Sequence, residues 1–539
     1  MEKIAGNASD IHETIALLKS EVEELRYKVT WLEQENSLYR ERLRLANLKI
    51  YGRSSEKTSA ILDNTEQLTF EDIFNEAEKE SDLDKPEPEL TIITYKRKKR
   101  QGQREEDYSG LPTEQITYEL PAERQLCPEC GGALHACGHK VARRELDVIP
   151  AQYKVLEHVE TVYACRRCEN TSDHTPMVKA PVPAPIIPNS GILSPGMMTE
   201  ISYNKYALAL PLYRQEQDFR RAGLHITRQN MANWVIKVYE TWIKPLVVLL
   251  HVLMIQRDRL QADETVIRVL HEKKSRCYMW LYRTCANDPR AIVIYDYHAS
   301  RAGVCAADFL DGFKGYLHTD GYPGYHAKLL ADIIIVGCWA HMRRYFADTL
   351  KAIDSDLRDM SPAKVGLDYC NRLFILEALY NGKTADGKDD PNKKKLSPQE
   401  RYEERLKRSK PIAEEFFQWV KDTQAKNPLL KGKLGDALTY AIGQQAWLMN
   451  VFLDGNLELS NNDAERSIRP FTIGRKNWLF CNTPNGALAS AGMYTIVETA
   501  KANGLNPRKF FRYLYDKLPQ GVPPEECLPW LEAVQIACR

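Results

Sequence analysis

The sequence lacks a long apolar run. Its longest, WIKPLVVLLHVLMI at 242–255, is interrupted by Lys244, Pro245 and His251. It falls short of the roughly 20 apolar residues that cross a bilayer, and reads as a buried helix. A basic-then-apolar leader is lacking too: the opening MEKIAGNASDIHET is of mixed polarity, and nothing in it suggests export. A cytoplasmic protein with no membrane partner is the expectation. Net charge is almost absent, +1 from 74 basic and 73 acidic residues, but the charge is segregated. EDIFNEAEKESDLDKPEPEL (71–90) is acidic and YKRKKR (95–100) follows it, a linker pattern whose basic run either touches phosphates or is a solvated tether. The thirteen cysteines, in a cytoplasmic setting, point to metal ligands or core thiols before disulfides.

At 539 residues the chain is too long for one core, and several folded units joined by linkers are expected. Residues 1–50 carry a heptad pattern. Ile15, Val22, Val29, Asn36, Leu43 and Ile50 fall on one core position, and Ile11, Leu18, Leu25, Leu32, Tyr39 and Ala46 on the other. β-branched residues at one position, leucines at the other and a single buried Asn favour a parallel two-stranded coiled coil, hence a homodimer. The alternative is an amphipathic helix packed on its own chain. A charged linker over 51–110 follows.

CPEC (127–130) and CRRC (165–168) are two CxxC pairs within a segment, 111–180, whose intervening RRELDVIP and KVLEHVETVYAC read as strands. Cys127, Cys130, Cys165 and Cys168 complete a tetrahedral four-thiolate zinc site, with His135, Cys137 and His139 near enough in sequence to be substitute ligands. Such a module has little core of its own, so zinc holds it folded. A Pro-rich linker (181–196) leads to two helical patterns within 197–257, ALALPLYRQEQDFRRAG and TRQNMANWVIKVYETW, separated by GLHI in the proportions of a helix-turn-helix. Thr227 suits the N-cap of the second helix. Arg228, Gln229, Asn230 and Asn233 then lie near its start, where a recognition helix meets base edges, although many helical hairpins share this shape without touching DNA.

From 258 to 350 the pattern becomes that of a mixed sheet. LQADETVIRVL, RCYMWLYRTC and AIVIYDYH read as successive strands, RAGVCAADFLDGF as a helix, GYLHTDGY and DIIIVGCW as further strands, and AHMRRYFADTL as a helix. This is the order of a ribonuclease-H-like α/β core. It places Asp263 inside the first strand and Asp320 at the end of the fourth, which are neighbours in such a sheet. Buried unpaired carboxylates cost several kcal/mol, so the pair calls for cations, and hard oxygen ligands suit magnesium or manganese. A third carboxylate has to come from a later helix. In LSNNDAERSIRPFTIGRKNWLF (459–480), Ser460 with Asp463 fits a capping box, which leaves Glu465. Arg466, Arg469, Arg475 and Lys476 beside it fit phosphate contacts; Trp478 reads as a core indole, and Pro470 is expected to end the helix. Residues 351–458 read as a helical insertion whose lysine-rich stretch, 380–411, is either a solvated loop and helix or a DNA contact. Residues 459–500 complete the core and 501–539 form a C-terminal helical element.

The blocks ADETVIRVL, YLHTDGYPGYH, GCWAHMRRYF and NNDAERSIRPFTIGRKNWLF, together with the zipper and the paired CxxC segment, resemble the IS sixty-six family of bacterial insertion-sequence transposases, a branch of the DDE transposases. The resemblance implies that Asp263, Asp320 and Glu465 are a catalytic, magnesium-binding triad. It implies an enzyme that cleaves DNA at the element's terminal inverted repeats and transfers the strand into target DNA, with element-encoded helper proteins as further partners. Cys338 and His341 match the family's C-x-x-H, which either binds metal or buttresses the site. Two other readings compete: a ribonuclease-H-like nuclease or resolvase that cuts without joining, and a dimeric zinc and helix-turn-helix regulator that needs no triad.

Overall fold

The computed structural model describes the chain from residue 113 on, except 122–124, 126–128, 137–140, 142–150, 166–176, 189–191, 275, 327–331, 355–356, 385–392 and 427–430. The zipper and the charged linker lie outside the described residues, as do Cys127 and Cys168. No described helix is long and apolar enough to cross a membrane. Two compact units divide the chain, one of them residues 51–159. In that unit Val155 and Val159 are exposed, as a module with little core of its own requires. Of the stretch KVLEHVETVYAC, read from sequence as a strand, only β1 (Val162–Ala164) is one, antiparallel to β2 (Met177–Lys179). A strand forms where its backbone finds a partner, and the pairing here is short, continued by one more bond from Ala180 N to Thr161 O at 2.9 Å.

The other unit, which also holds β1 and β2, continues with α1 (Pro195–Tyr206), α2 (Leu212–Arg221) and α3 (Arg228–Val238). Thr227 caps α3 as its sequence suggests, accepting from Asn230 N at 3.2 Å. A π-helical turn, Tyr239–Ile243, leads into α4 (Lys244–Met254). This is the apolar run of the sequence, with Leu246, Leu250 and Met254 on its buried face.

The sheet comprises β3 (Arg259–Ile267), β4 (Cys277–Thr284), β5 (Val293–His298), β6 (Gly315–Thr319) and β7 (Ile333–Gly337), with α5 (Gly303–Phe309) between β5 and β6. The order is β5-β4-β3-β6-β7, the first three antiparallel and the last three parallel. This five-stranded mixed sheet with flanking helices is consistent with the ribonuclease-H-like order.

After β7 the chain becomes helical: α6 (Trp339–Lys351), α7 (Pro362–Tyr380), α8 (Pro398–Glu404), α9 (Lys410–Lys426) and α10 (Lys433–Met449). Trp339, Phe346, Phe416 and Phe417 fill a common core. Part of the basic stretch at 380–411 is structural. Arg405, 1 % exposed, pairs with Glu377 through Nη2–Oε1 at 2.7 Å and Nε–Oε2 at 3.0 Å. It also donates to the carbonyls of Val451, Asp454 and Leu457, fixing the segment that returns to the sheet.

That segment ends in α11 (Asn462–Trp478), followed by α12 (Pro484–Ala502), α13 (Pro507–Lys517) and α14 (Glu532–Cys538). Every residue from Ala489 to Ala500 is buried, which small side chains permit. Thr495 and Thr499 of α12 meet the open edge of β5: their hydroxyls accept from Tyr295 N at 2.9 Å and Val293 N at 3.1 Å. An edge strand that would otherwise expose unpaired donors is thus covered by two threonines one helical turn apart.

Candidate active site

Asp263 lies mid-strand in β3, Asp320 directly follows the last residue of β6, and Glu465 lies in the first turn of α11. β3 and β6 run parallel with Gln261 opposite His318; carried two residues on, that register sets Asp320 level with Asp263. Helix α11 is anchored to the same sheet at several points. Asn461 Nδ2 donates to Ala262 O at 2.8 Å. Arg283 Nη1 donates to Asp463 O and to Ser467 Oγ, and the Tyr295 hydroxyl donates to Ser467 O. Arg475 donates to Thr265 Oγ1 and Val266 O. Beyond the helix, Cys481 N donates to Arg268 O and Leu270 N to Cys481 O, extending β3 by a parallel bridge.

The three acids share one electrostatic environment. Burial first, then the charges of Glu264, Asp320 and Glu465, hold the Asp263 carboxyl well above the usual carboxylate range. Among the described residues no basic side chain pairs with Asp263 or Asp320. Asp263 Oδ1 accepts from Glu264 N at 2.8 Å and Asp320 Oδ1 from Tyr322 N at 3.0 Å. Carboxylates with excess negative charge suit a hard divalent cation such as magnesium or manganese, but among the described residues Asp263, Asp320 and Glu465 do not form a group whose ligand oxygens all lie within 4.8 Å of one another.

Glu465 belongs to a mixed-donor cluster. Cys338 Sγ, a ring nitrogen of His341 and a carboxylate oxygen of Glu465 lie within 4.8 Å of one another. His341 Nε2 is 3.6 Å from Glu465 Oε1, and Arg344 Nη2 is 3.2 Å from Oε2. Cys338 precedes α6, is fully buried, and its sulfur accepts from Asn461 N at 3.2 Å. Burial alone would raise its thiol; His318 and His341 overrule this and lower it to about 5. Burial alone would lower His341; Cys338 and Glu465 raise it to about 9. A sulfur, nitrogen and carboxylate set suits zinc better than magnesium.

Several sequence expectations are corrected. Ser460 and Asp463 form no capping box: Asn461 is the N-cap, with no side-chain cap bond. The box fails because Asp463 is turned into the protein, 6 % exposed, and its carboxylate pairs with Arg466. Pro470 does not end α11, which runs on to Trp478. The helix loses one backbone bond there, and burial of Phe471 and Gly474 against the ring of Tyr494 offsets it. Arg475 is committed to the backbone of β3 and burial lowers its pKa, so its guanidinium serves the fold and not a phosphate. Arg466 and Arg469 are exposed, Lys476 is half-buried, and Trp478 sits edge-on to Phe471 at 5.5 Å. Arg228, Gln229, Asn230 and Asn233 are exposed at the start of α3, and Cys130 and Cys165 are exposed thiols. Sequence reasoning missed Glu264, Arg301, Tyr325 and Arg344. The one available signal was the doublet Asp263–Glu264: neighbours on a strand face opposite sides, so the second acid of a central strand requires its own counter-charge.

Comparison with known families gives two matches. The model described as "Transposase IS66 family" matches residues 190–489, and that described as "zinc-finger binding domain of transposase IS66" matches residues 124–169. Three proteins of Sinorhizobium fredii (strain NBRC 101917 / NGR234) are similar along most of their length. The uncharacterized protein y4qI is 29 % identical over 501 residues, 89 % of this chain and 86 % of that one. For y4hP the identity is 26 % over 505 residues, again 89 % and 86 %, and for y4jD 28 % over 433 residues, 76 % and 79 %.

Proposed function

The chain belongs to the IS66 transposase family, and on that premise we propose that it cuts DNA at the ends of an insertion sequence and joins those ends to target DNA. Asp263, Asp320 and Glu465 would hold two magnesium ions. Such ions supply an activated water and stabilise the charge that develops on attacking and leaving oxygens. The observation that supports this reading is the parallel pairing of β3 with β6, whose register, carried two residues on, sets Asp320 level with Asp263, together with the ties that hold the helix bearing Glu465 to the same sheet.

The protein's own residues have three tasks. The sheet holds the aspartates in fixed register, and α6 and α11 hold Glu465. Arg466 and Arg469, exposed beside Glu465, offset the repulsion between three carboxylates and a polyanion by contacting phosphates. Arg228, Gln229, Asn230 and Asn233 on α3 read the terminal repeats, and four cysteines, Cys127, Cys130, Cys165 and Cys168, fold a zinc module that adds to end recognition. Hydrolysis at the element end leaves a 3′ hydroxyl. In joining, that oxygen attacks a target phosphate as the target's own 3′ oxygen leaves, so one phosphodiester replaces another and no external energy source is needed. Dimerisation through residues 1–50 would bring two ends together.

The test incubates purified protein with Mg²⁺ and labelled DNA carrying the flanking inverted repeats, with and without the element's accompanying proteins, beside Glu465→Gln. Nicked and joined products from wild type and none from the variant support the reading. Nicks without joints would favour a nuclease; metal-independent binding without cleavage under either condition would favour a regulator.

A further inference from the structure

We infer that Glu264, through Arg301 and Tyr325, clamps the loop that follows β6 and so positions Asp320, making Glu264 a positioning residue for the metal site although it faces away from it. The inference rests on the triad reading above. Alternation along β3 turns Asp263 to one side and Glu264 to the other. Glu264 is 6 % exposed, and both its oxygens are occupied. Arg301 Nε donates to Oε1 at 2.9 Å, with Nη2 on the same oxygen, and the Tyr325 hydroxyl donates to Oε2 at 2.7 Å.

A buried carboxylate needs such partners in any protein. What gives these a further role is where they lie. Tyr325 belongs to the single turn Pro323–His326, five residues past Asp320. Arg301 lies in the loop between β5 and α5, and its guanidinium covers the ring of Tyr322 at 3.6 Å. The Tyr322 hydroxyl returns to Arg301 O at 2.6 Å, and Tyr322 N donates to the Asp320 carboxylate. The loop is thus pinned to Glu264 at two points, and between them it presents a backbone donor that orients Asp320.

The opposite side of Asp320 is held independently. Its carbonyl accepts from Tyr440 at 2.8 Å. Gly321 turns at φ +91°, against Gln444, whose side-chain oxygen a Cβ would approach to 2.7 Å. With one flank fixed by α10, the Glu264 clamp governs the other. Loosening it leaves Asp320 present but free to swing, which weakens metal binding without removing a ligand. Partners that orient metal-binding carboxylates typically contribute about ten- to a hundredfold in affinity.

The experiment measures Mn²⁺ binding to the zinc-loaded full chain by paramagnetic resonance of the free ion, for wild type, Tyr325→Phe, Glu264→Gln and Asp263→Asn. Tyr325→Phe removes one hydroxyl and keeps the ring, so it is the variant that folds even where Glu264→Gln does not. The expected result is binding weakened about tenfold or more in Tyr325→Phe, with circular dichroism unchanged, a melt lowered because Glu264 Oε2 loses its donor, and DNA cleavage restored at saturating Mn²⁺. Mn²⁺ affinity within twofold of wild type in Tyr325→Phe overturns the clamp while leaving the triad intact. Wild-type binding that Asp263→Asn does not abolish overturns the triad reading, and the clamp with it.

Discussion

Arg344 meets Glu465 across the site, Nη2 to Oε2 at 3.2 Å, from a side chain half open to solvent. An exposed pair of this kind is worth under about 1 kcal/mol to the fold. It does place a positive charge on the carboxylate proposed to receive a divalent cation, so the two compete.

Replacing Arg344 by Gln should leave the melting temperature nearly unchanged and tighten Mn²⁺ binding by about threefold, the scale of one unit charge acting through water at this range. Binding that weakens instead would make Arg344 a support for Glu465 and not its competitor. Paramagnetic resonance distinguishes the two outcomes on the same samples.

The Cys338–His341 pair predicts a pH window. Cys338 is depressed from 9.0 to about 5, so its contribution is fully present above 9 and lost as pH falls through about 5. His341 is raised from 6.5 to about 9, so its contribution is fully present below 6.5 and lost as pH rises through about 9. The charged pair therefore persists between about 5 and 9. Wild type should carry thiolate ultraviolet absorbance at neutral pH that Cys338→Ala lacks and that titrates away near pH 5; equal spectra at neutral pH would show the sulfur protonated.

The strands and the two aspartates were legible in the sequence because alternation and short β-rich runs report a sheet directly, and Asp263 and Asp320 sit where strand order converges. The contacts that hold Glu465 were not, because they join residues distant in the chain: Arg283 to Ser467, Asn461 to Ala262, Cys338 to Asn461. Local rules also misled where burial decided the outcome. Asp463 has the spacing of a cap, yet it is buried against Arg466, and Pro470 has the character of a helix stop within a helix whose flank is packed on Tyr494. Local basic stretches hid a division of labour, since Arg405 and Arg475 serve the fold whereas Arg466 and Arg469 face solvent.

Arg405→Ala should be among the most destabilising changes far from the site. It strands Glu377 and leaves three carbonyls without their donor, and breaking a buried pair costs about 3–5 kcal/mol. Arg405→Met with Glu377→Leu should recover only part of this, because the carbonyls stay unsatisfied. A thermal melt that does not move in Arg405→Ala would mean the return segment is held by other means.

Metal analysis should find one equivalent of zinc that depends on the CxxC module, lost in Cys130→Ser and on chelation. Since the matched zinc-finger region ends at residue 169 and the proposed triad begins at Asp263, loss of zinc should reduce binding to repeat DNA while leaving Mn²⁺ affinity unchanged. Zinc retained in Cys130→Ser would shift the ligand set toward His135, Cys137 or His139.

Asp463 and Glu465, two residues apart, separate a structural acid from the one proposed to bind the catalytic metal. Asp463 is buried, its carboxylate turned to Arg466 and its carbonyl taken by Arg283. Asp463→Asn keeps the shape and loses an ion pair whose arginine is largely in water, a cost under about 1 kcal/mol, so cleavage should persist with a slightly lower melting temperature. Glu465 spends its carboxylate on no cap and no backbone donor among the described residues; one oxygen is buried without a hydrogen bond, 3.6 Å from His341 Nε2, and the other meets Arg344. Glu465→Gln should therefore leave the melt unchanged while cleavage falls by more than about a hundredfold, beyond what loss of a supporting residue gives. The reverse pattern, with Asp463→Asn inactive and Glu465→Gln active, would move the third ligand to Asp463 and require the first turn of α11 to rearrange when DNA binds.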